Sequence, residues 1–495
     1  MSDIIRDAPL GQLIRFLTNN KYFQYPEEKQ DFKLPDTWLT IMNDPNASFE
    51  ESPSNGALAG PQHPRIPPQT LTSSAHGLEV DEEHNMEDAN KHIPILPRKQ
   101  KTLKATLGLA IYVLGYGVGP LVFSPLSEIA SIGRNPIYII TTVLFVVISI
   151  PTALVDNYPV LIVLRFLQGV FGSPCLASGG ASLGDMFSPM ALPYAMAAWV
   201  FSTYSSLGPL LSGFSVPARS WRWSLYESLW ISSPILILMF VLFPETSEAN
   251  ILLRRAKRLR ILTGNACLVS QSEIDQRHMT ITIRDPAVLF VQIYTAILYG
   301  IYYSFFEAFP RVYPVFYGMN LGQTGLVFIC VLIARIIGAT IYVAYFYYYV
   351  NPRIAKYGWP VQEDRLVLGL PASFGPVIGL FLFAWTARES DHWIVPTIGI
   401  AISSAATFIL MQYLFVYIPL SYPEYIASLF AANDPFRSGL ACASILFAQP
   451  LFDNLGIAKL LGGLSIIGII GIFLLYVYGA KLRSLSNFAK YEPAK

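Results

Sequence analysis

Runs of about 20 apolar residues recur along this chain, each long enough to cross the hydrocarbon core of a bilayer as a helix at 1.5 Å rise per residue. Eleven such runs can be read. The first five cover Ala105–Pro125, Pro136–Leu154, Pro159–Leu183, Leu192–Val216 and Trp223–Phe243. Beyond a long polar loop come Pro286–Pro310, Gly322–Val350, Leu366–Ala387, His392–Pro419, Tyr425–Pro450 and Leu460–Tyr478. They do not alternate apolar with polar residues, which excludes a transmembrane β-barrel. Their Gly and Pro residues are tolerated in membrane helices, where neighbours re-satisfy the backbone. With 53% hydrophobic and 14% charged residues, against about 25% charged in a soluble domain, the chain is expected to be an all-α membrane protein.

Charge placement orients the spans. The central loop contains LLRRAKRLR at 252–260, five basic residues in nine, and the positive-inside rule assigns it to the cytoplasm. Six spans later the C-terminal tail carries Lys481, Arg483 and Lys490, and an even number of crossings returns it to the same side. The N-terminal side disagrees. Five spans put it outside, yet Arg98, Lys99, Lys101 and Lys104 crowd the first span. One more crossing before Ala105 would reconcile the two, but no second apolar run of sufficient length lies upstream. The expectation is a chain with about eleven spans that lacks a first helix; a genuine eleven-span protein is the alternative. Residues 43–97 are rich in Pro, Ser, Asn, Gly and acidic groups, a composition that cannot bury a core. The expected organisation is therefore a largely disordered cytoplasmic tail over 1–104, with a short amphipathic helix around Leu10–Leu17. An incomplete helix bundle over 105–243, a cytoplasmic loop over 244–284, a six-helix bundle over 285–480 and a tail over 481–495 follow. The first 35 residues have no apolar core of signal-peptide length.

Several function classes find no support. A net charge of +1 gives no sign of a nucleic-acid partner. Cys175, Cys267, Cys330 and Cys442 form no metal-like pair and read as small buried hydrophobes. There is no Walker-type loop for ATP, and no HExxH or GxSxG motif. No enzyme activity, cofactor or metal is expected.

Four motifs stand out. The first turn between spans, GYGVGPLVFSPLSEIASIGRNPIY at 115–138, has small residues, Gly115, Gly117 and Gly119, that let helices approach closely. Pro125, Glu128, Gly133 and Arg134 follow at the turn, where paired charges can latch one helix end to its neighbour. Arg165 stands in an apolar run with Gln168 and Gly169. A buried arginine there costs at least about 2.5–3.5 kcal/mol, so it must face a polar cavity or a partner. Asp185, ending the same run, is a candidate partner for a charge. In STYSSLGPLLSGF at 202–214, Gly208-Pro209 bends the helix and Gly213 keeps its face thin, as alternating access requires where two halves meet. In the C-terminal half, Glu307 lies in AILYGIYYSFFEAFPRVYPVF. A carboxylate that gains and loses a proton on a moving helix is a natural coupling element. Tyr299, Tyr302, Tyr303 and Phe306 around it would suit flat, apolar compounds. Arg335 and Gln412 are further polar groups in apolar runs.

The 115–138 turn resembles the signature loop of the major facilitator superfamily, in its fungal PLSE-x-GR form. The R-F-x-Q-G stretch at Arg165 resembles the motif of that family's fourth helix, and 202–214 partly resembles its antiporter motif. SWRW and PET around the fifth span, RRAKRLR-x-x-TGN at 254–265, FFEAFP at 305–310 and LFDNLG at 451–456 together resemble the fungal twelve-spanning drug:H⁺ antiporters. The opening residues resemble the fluconazole and benomyl exporters among them. The family's acidic-to-NPxNW stretch before its first helix is absent here, and the segment before Asp285 is short of an Arg-Pro element usual in the family. The resemblance implies a major facilitator fold of two six-helix halves and a plasma-membrane, multi-pass location. It also implies proton-coupled export of amphiphilic small molecules such as azoles by a monomer in the lipid bilayer. In that reading Arg165, Glu307 and Asp185 serve proton coupling, and Tyr299, Tyr302, Tyr303, Phe306 and Gln412 bind substrate. Gly119, Pro125, Glu128, Gly133, Arg134, Gln168, Gly169, Gly208, Pro209 and Gly213 shape the conformational change. Alternatives are a dedicated exporter of a fungal secondary metabolite or polyamine, or a non-functional truncated product.

Overall fold

The structure is a computed structural model that describes residues 2–18, 20–29, 98–203, 207–264, 268–270, 273, 286–358, 366–421, 426–455 and 457–484. Apart from turns and short connections, the described residues are helical and contain no strand. Two short helices, α1 (Ser2–Asp7) and α2 (Pro9–Leu17), open the chain. The N-terminal half holds α3 (Arg98–Glu128), α4 (Asn135–Leu154), α5 (Tyr158–Gly172), α6 (Pro174–Met186), α7 (Leu192–Thr203), α8 (Leu207–Ala218) and α9 (Arg222–Leu242). A polar helix, α10 (Glu248–Thr263), lies within the central loop. The C-terminal half holds α11 (Pro286–Phe306), α12 (Phe309–Tyr317), α13 (Leu321–Val327), α14 (Ile329–Tyr345), α15 (Asn351–Tyr357) and α16 (Gly369–Ala372). It ends with α17 (Phe374–Thr386), α18 (Ile394–Ser421), α19 (Ile426–Leu455) and α20 (Ile457–Ser484).

Each of the eleven apolar runs falls on one of these helices or on a broken pair. Among the described residues seven helical stretches are long and apolar enough to cross a membrane unaided. Two of the other runs fall short for local reasons. Pro174 follows Ser173 and divides one run into α5 and α6, and α19 carries Asn433, Asp434 and Arg437. Large apolar side chains such as Ile140, Val163, Ile237, Ile378 and Val477 are exposed around the bundle. So broad an apolar exterior has a place in lipid and none in water.

The boundaries differ from the sequence expectation in instructive places. The first helix begins at Arg98, so the basic cluster lies in its first two turns. The span read as Pro286–Pro310 runs on to Tyr317, because Pro310 enters the first turn of α12, where a missing N–H costs nothing. The loop over 244–284 is partly helical, and the last helix continues to Ser484. The tail is not structureless throughout, since residues 2–29 fold. Residues 43–97, the expected disordered stretch, lie outside the described residues, as do Cys267 and most of 481–495.

Residues 2–29 are fastened to the central loop. Glu27, which is buried, meets Arg255 at 2.9 Å. Tyr25 packs its ring under three guanidinium groups, Arg258 at 3.7 Å, Arg15 at 4.5 Å and Arg6 at 4.6 Å from the centroid. Arg15 grips Glu28 through both guanidinium ends at 2.8 and 2.9 Å. Burial pushes the Glu28 carboxyl up, but the hydrogen bonds from Arg15 and from the Tyr25 backbone outweigh it and hold the group below its ordinary value. The N-terminal segment thus sits at the end of the bundle where α3 finishes. Arg98 begins α3 one helix length away, about 45 Å for 31 residues at 1.5 Å each.

The two halves share a core. Leu109 and Val113 of α3, Met196 and Trp199 of α7, Phe415 of α18 and Phe430 of α19 belong to one buried cluster. The halves meet at several seams, chief among them α3 against α19 and α8 against α13.

Candidate functional site

The 115–138 motif builds a latch at the end of the N-terminal half where α3 finishes. Gly133 has φ +82°, open to glycine and rarely to other residues, and a Cβ there would lie 2.4 Å from the Glu245 carboxylate. That carboxylate accepts hydrogen bonds from the Arg134 and Asn135 N–H groups at 3.0 and 3.2 Å, at the start of α4. It also accepts from Thr246 and Ser247 in its own turn at 3.0 and 2.9 Å. A negative charge at the N-terminus of α4 is favourable to the helix dipole. Arg134 pairs with Asp185 at 2.9 Å. The charge partner of Asp185 is thus the latch arginine, not Arg165. Glu128 is the last residue of α3, and Pro125 lies within its last two turns.

Small residues bring α3 and α5 into backbone contact. A Cβ on Gly115 would meet the Phe166 carbonyl at 2.3 Å, one on Gly119 the Ser173 hydroxyl at 2.0 Å, and one on Gly169 the Tyr112 carbonyl at 2.2 Å. This close fit holds Arg165, which is buried, with Nε and Nη2 lacking hydrogen-bond partners among the described residues. Gln168, one turn on, donates to the Ser149 hydroxyl at 2.8 Å and so ties α5 to α4.

The 202–214 motif forms the second seam. A Cβ on Gly213 would meet the Leu321 carbonyl at 2.9 Å, and one on Gly325 the Pro209 carbonyl at 2.9 Å. Gly208 and Pro209, where a bend was expected, occupy the first turn of α8, and residues 204–206 before it lie outside the described residues. The close packing at this seam comes from glycines on both sides.

The C-terminal aromatic residues separate into three environments. Tyr299 lies under the Arg437 guanidinium, 4.7 Å from its ring centroid. Tyr302 accepts a hydrogen bond from Arg335, which is buried beside it. It also lines a small cavity with Leu298, Phe305, Ser403 and Ser404. At about 20 Å³ that space is far below a drug-sized site. Tyr303 packs on Tyr299 at 5.1 Å. Phe306 stacks on Phe309 and Phe328, both at 5.6 Å, inside a buried aromatic core. Glu307 is buried at the break between α11 and α12. The nearby Arg311 pairs outward with Asp453 at 2.6 Å. Gln412 spans the halves, donating to the Met196 carbonyl of α7 at 3.3 Å.

Two features of the centre escaped the sequence reading. One is a ring cluster across the halves, where Trp199 meets Phe415 at 5.9 Å and Phe430 at 6.1 Å. The other is a buried ion pair, Asp434 with Arg437, within α19. A carboxylate and a guanidinium three residues apart in an apolar run were the available signal. Three of the four cysteines, Cys175, Cys330 and Cys442, are free, and no metal-binding cluster occurs among the described residues.

A helical bundle with an apolar exterior, two glycine-lined seams between its halves and charges buried near them describes a transporter of small molecules. The chain belongs to the Major Facilitator Superfamily, whose family pattern matches residues 92–443, and within it to the fungal drug:H⁺ antiporters. It is 44% identical over 402 residues to the MFS-type transporter pyvG of Aspergillus violaceofuscus, covering 77% of this chain and 74% of that one. It is 34% identical to a cycloheximide resistance protein of Candida maltosa over 560 aligned positions, covering 99% of this chain and all of the relative. That alignment is longer than the 495-residue chain, so the relative carries segments that this chain lacks. The solved proton:xylose symporter XylE bound to 6-bromo-6-deoxy-D-glucose shares the fold, at a TM-score of 0.59 and 13% identity over 81% of this chain and 92% of that one. The protein is therefore a multi-pass membrane transporter.

Proposed function

We propose that this protein exports amphiphilic small molecules, azoles among them, across the fungal plasma membrane in exchange for protons, working as a monomer with two helix bundles, 105–243 and 285–480, on either side of the 244–284 loop. The observation that carries this reading is Arg165, a buried guanidinium with unpartnered nitrogens beside the α3–α5 contact. A membrane protein retains so costly a group where it answers a charge that comes and goes. Glu307, at a helix break, supplies a second titratable site, and Asp185 enters as counter-ion of the Arg134 latch. Tyr299, Tyr302, Tyr303, Phe306 and Gln412 contribute to substrate binding in this reading. Phe306 does so only once its stack opens, since the cavity beside Tyr302 holds little more than a water molecule. The Candida maltosa relative, named for cycloheximide resistance, supports drugs as the substrate class. Each proton entering also gains about 2.3 kcal/mol per 100 mV of membrane potential.

The test is accumulation of labelled fluconazole in yeast stripped of its own drug exporters. Expression should lower accumulation, and a protonophore should restore it. Accumulation equal to the empty-vector control, with the protein abundant at the plasma membrane, would exclude azole export. In the same assay Glu307→Gln is expected to uncouple export from the gradient.

A further inference from the structure

We propose that Asp434 carries an exchanged proton, with Arg437 as its internal counter-ion, forming a coupling pair on the α3–α19 seam; this rests on the proton-driven reading above. Both side chains are buried, at 3% and 2% exposure. They lie three residues apart on one helix, so the ion pair itself does not join α19 to another helix. Buried ion pairs are weak sources of stability, and apolar replacements are often as good or better.

The surroundings favour two states. Asp434 Oδ1 takes the bond from Arg437, while Oδ2 is buried without a partner among the described residues. One oxygen is thus available to a proton. When the carboxylate is neutralised, the Arg437 guanidinium keeps a seat on aromatic faces, Tyr299 at 4.7 Å and Phe415 at 5.6 Å. The seam responds to this site directly. A Cβ on Gly117 of α3 would lie 2.5 Å from the Ser438 side chain and 3.3 Å from the Asp434 carbonyl. Rocking of α3 on α19 must change the room around the pair. The titratable and charged groups facing it are Tyr116 from α3 and Tyr299 from α11. Of the other packed elements, α18 offers the Phe415 ring, α6 has its carboxylate committed to Arg134, and α20 carries Lys459, Lys481 and Arg483 only towards its ends. The step is simple: an ionised Asp434 takes one proton, the bond to Arg437 opens, and the reverse follows when the proton leaves on the other side.

The experiment pairs infrared pH-difference spectra of the purified full chain with fluconazole efflux from proteoliposomes under an imposed pH gradient. Wild type should show carboxylic-acid bands that grow as pH falls. Asp434→Asn should lose one of them and lose the response of efflux to the gradient. Arg437→Gln should move that same band to higher pH, since a lost positive neighbour lets the acid hold its proton longer. The full wild-type set of bands in Asp434→Asn, or efflux still driven by the gradient, overturns the assignment to Asp434 alone. Wild-type efflux that ignores the gradient while fluconazole is transported overturns the proton-driven reading and the coupling role with it.

Discussion

The Glu245 carboxylate accepts the Arg134 backbone N–H at 3.0 Å, although 111 residues separate them. The PET sequence that closes α9 is thereby the N-terminal cap of α4, and Asn250 reinforces it by donating to the Ala130 carbonyl at 2.6 Å. A hydrogen bond to a charged acceptor contributes about 1.5–3 kcal/mol. Glu245→Ala is expected to lower the melting temperature of the purified protein by fluorescence-detected size exclusion. Glu245→Gln should recover part of that loss, since its amide oxygen still accepts.

Gly133 supports the same cap from the other side. Gly133→Ala puts a side chain into the left-handed region, at about 1–2 kcal/mol, and sets a Cβ 2.4 Å from Glu245. The expected result is destabilisation at least as large as that of Glu245→Ala. The double variant should lose less than the sum, because both act on one contact. Additive losses in a double-mutant cycle would show the two to be independent.

The α8–α13 seam leaves no room for a larger side chain. Gly213→Val would meet the Leu321 carbonyl, already 2.9 Å from an ideal Cβ. Overpacking of this kind costs about 1–3 kcal/mol, which displaces a two-state equilibrium roughly 5- to 150-fold toward the state in which α8 and α13 part. Spin labels on the two helices should report a longer distance in the variant. An unchanged distance distribution would mean that this seam does not open.

The N-terminal segment should come off in acid. Glu28 has its folded pKa held below its ordinary value, so its contribution to docking is fully present above the unfolded value of about 4.3 and is lost as pH falls through the lower, folded value. Hydrogen exchange across residues 2–29 is expected to be slow at neutral pH and to quicken only below pH of about 4. Arg15→Ala removes the hydrogen bonds that lower the Glu28 pKa and should make exchange fast at neutral pH as well.

What could be read from the sequence followed from what each signal needs. The spans were legible because lipid demands about 20 apolar residues whatever the neighbours are. Arg165 and Glu307 were legible as isolated charges in such runs. The partner of Asp185 was not, since Arg134 lies on another helix and nothing local names it. Asp434 and Arg437, two charges in the run Tyr425–Pro450, went unread because only the fold shows that both are buried on the α3–α19 seam. The Trp199–Phe415 contact joins the two halves, and its residues look like ordinary membrane aromatics until they are brought together. The packed state of Phe306 was equally hidden, because a ring that binds substrate and a ring that fills a core have the same sequence.

Arg165 gives the sharpest test of the transport reading. Its Nε and Nη2 have no hydrogen-bond partner among the described residues, although the side chain is only 3% exposed. A lysine would keep the charge but could not present two parallel donors. If the guanidinium takes up a carboxylate or a substrate acceptor in another conformation, Arg165→Lys loses charge-assisted bonds worth about 1.5–3 kcal/mol, a fall in transport of roughly tenfold or more. Melting temperature should change little, because Nε and Nη2 hold nothing among the described residues. Fluconazole accumulation in exporter-deficient yeast and thermal stability of the same purified variant separate the cases. Normal transport by Arg165→Lys would reduce the residue to a simple positive charge. A large fall in melting temperature would make it a structural group whose partner forms only outside the conformation described.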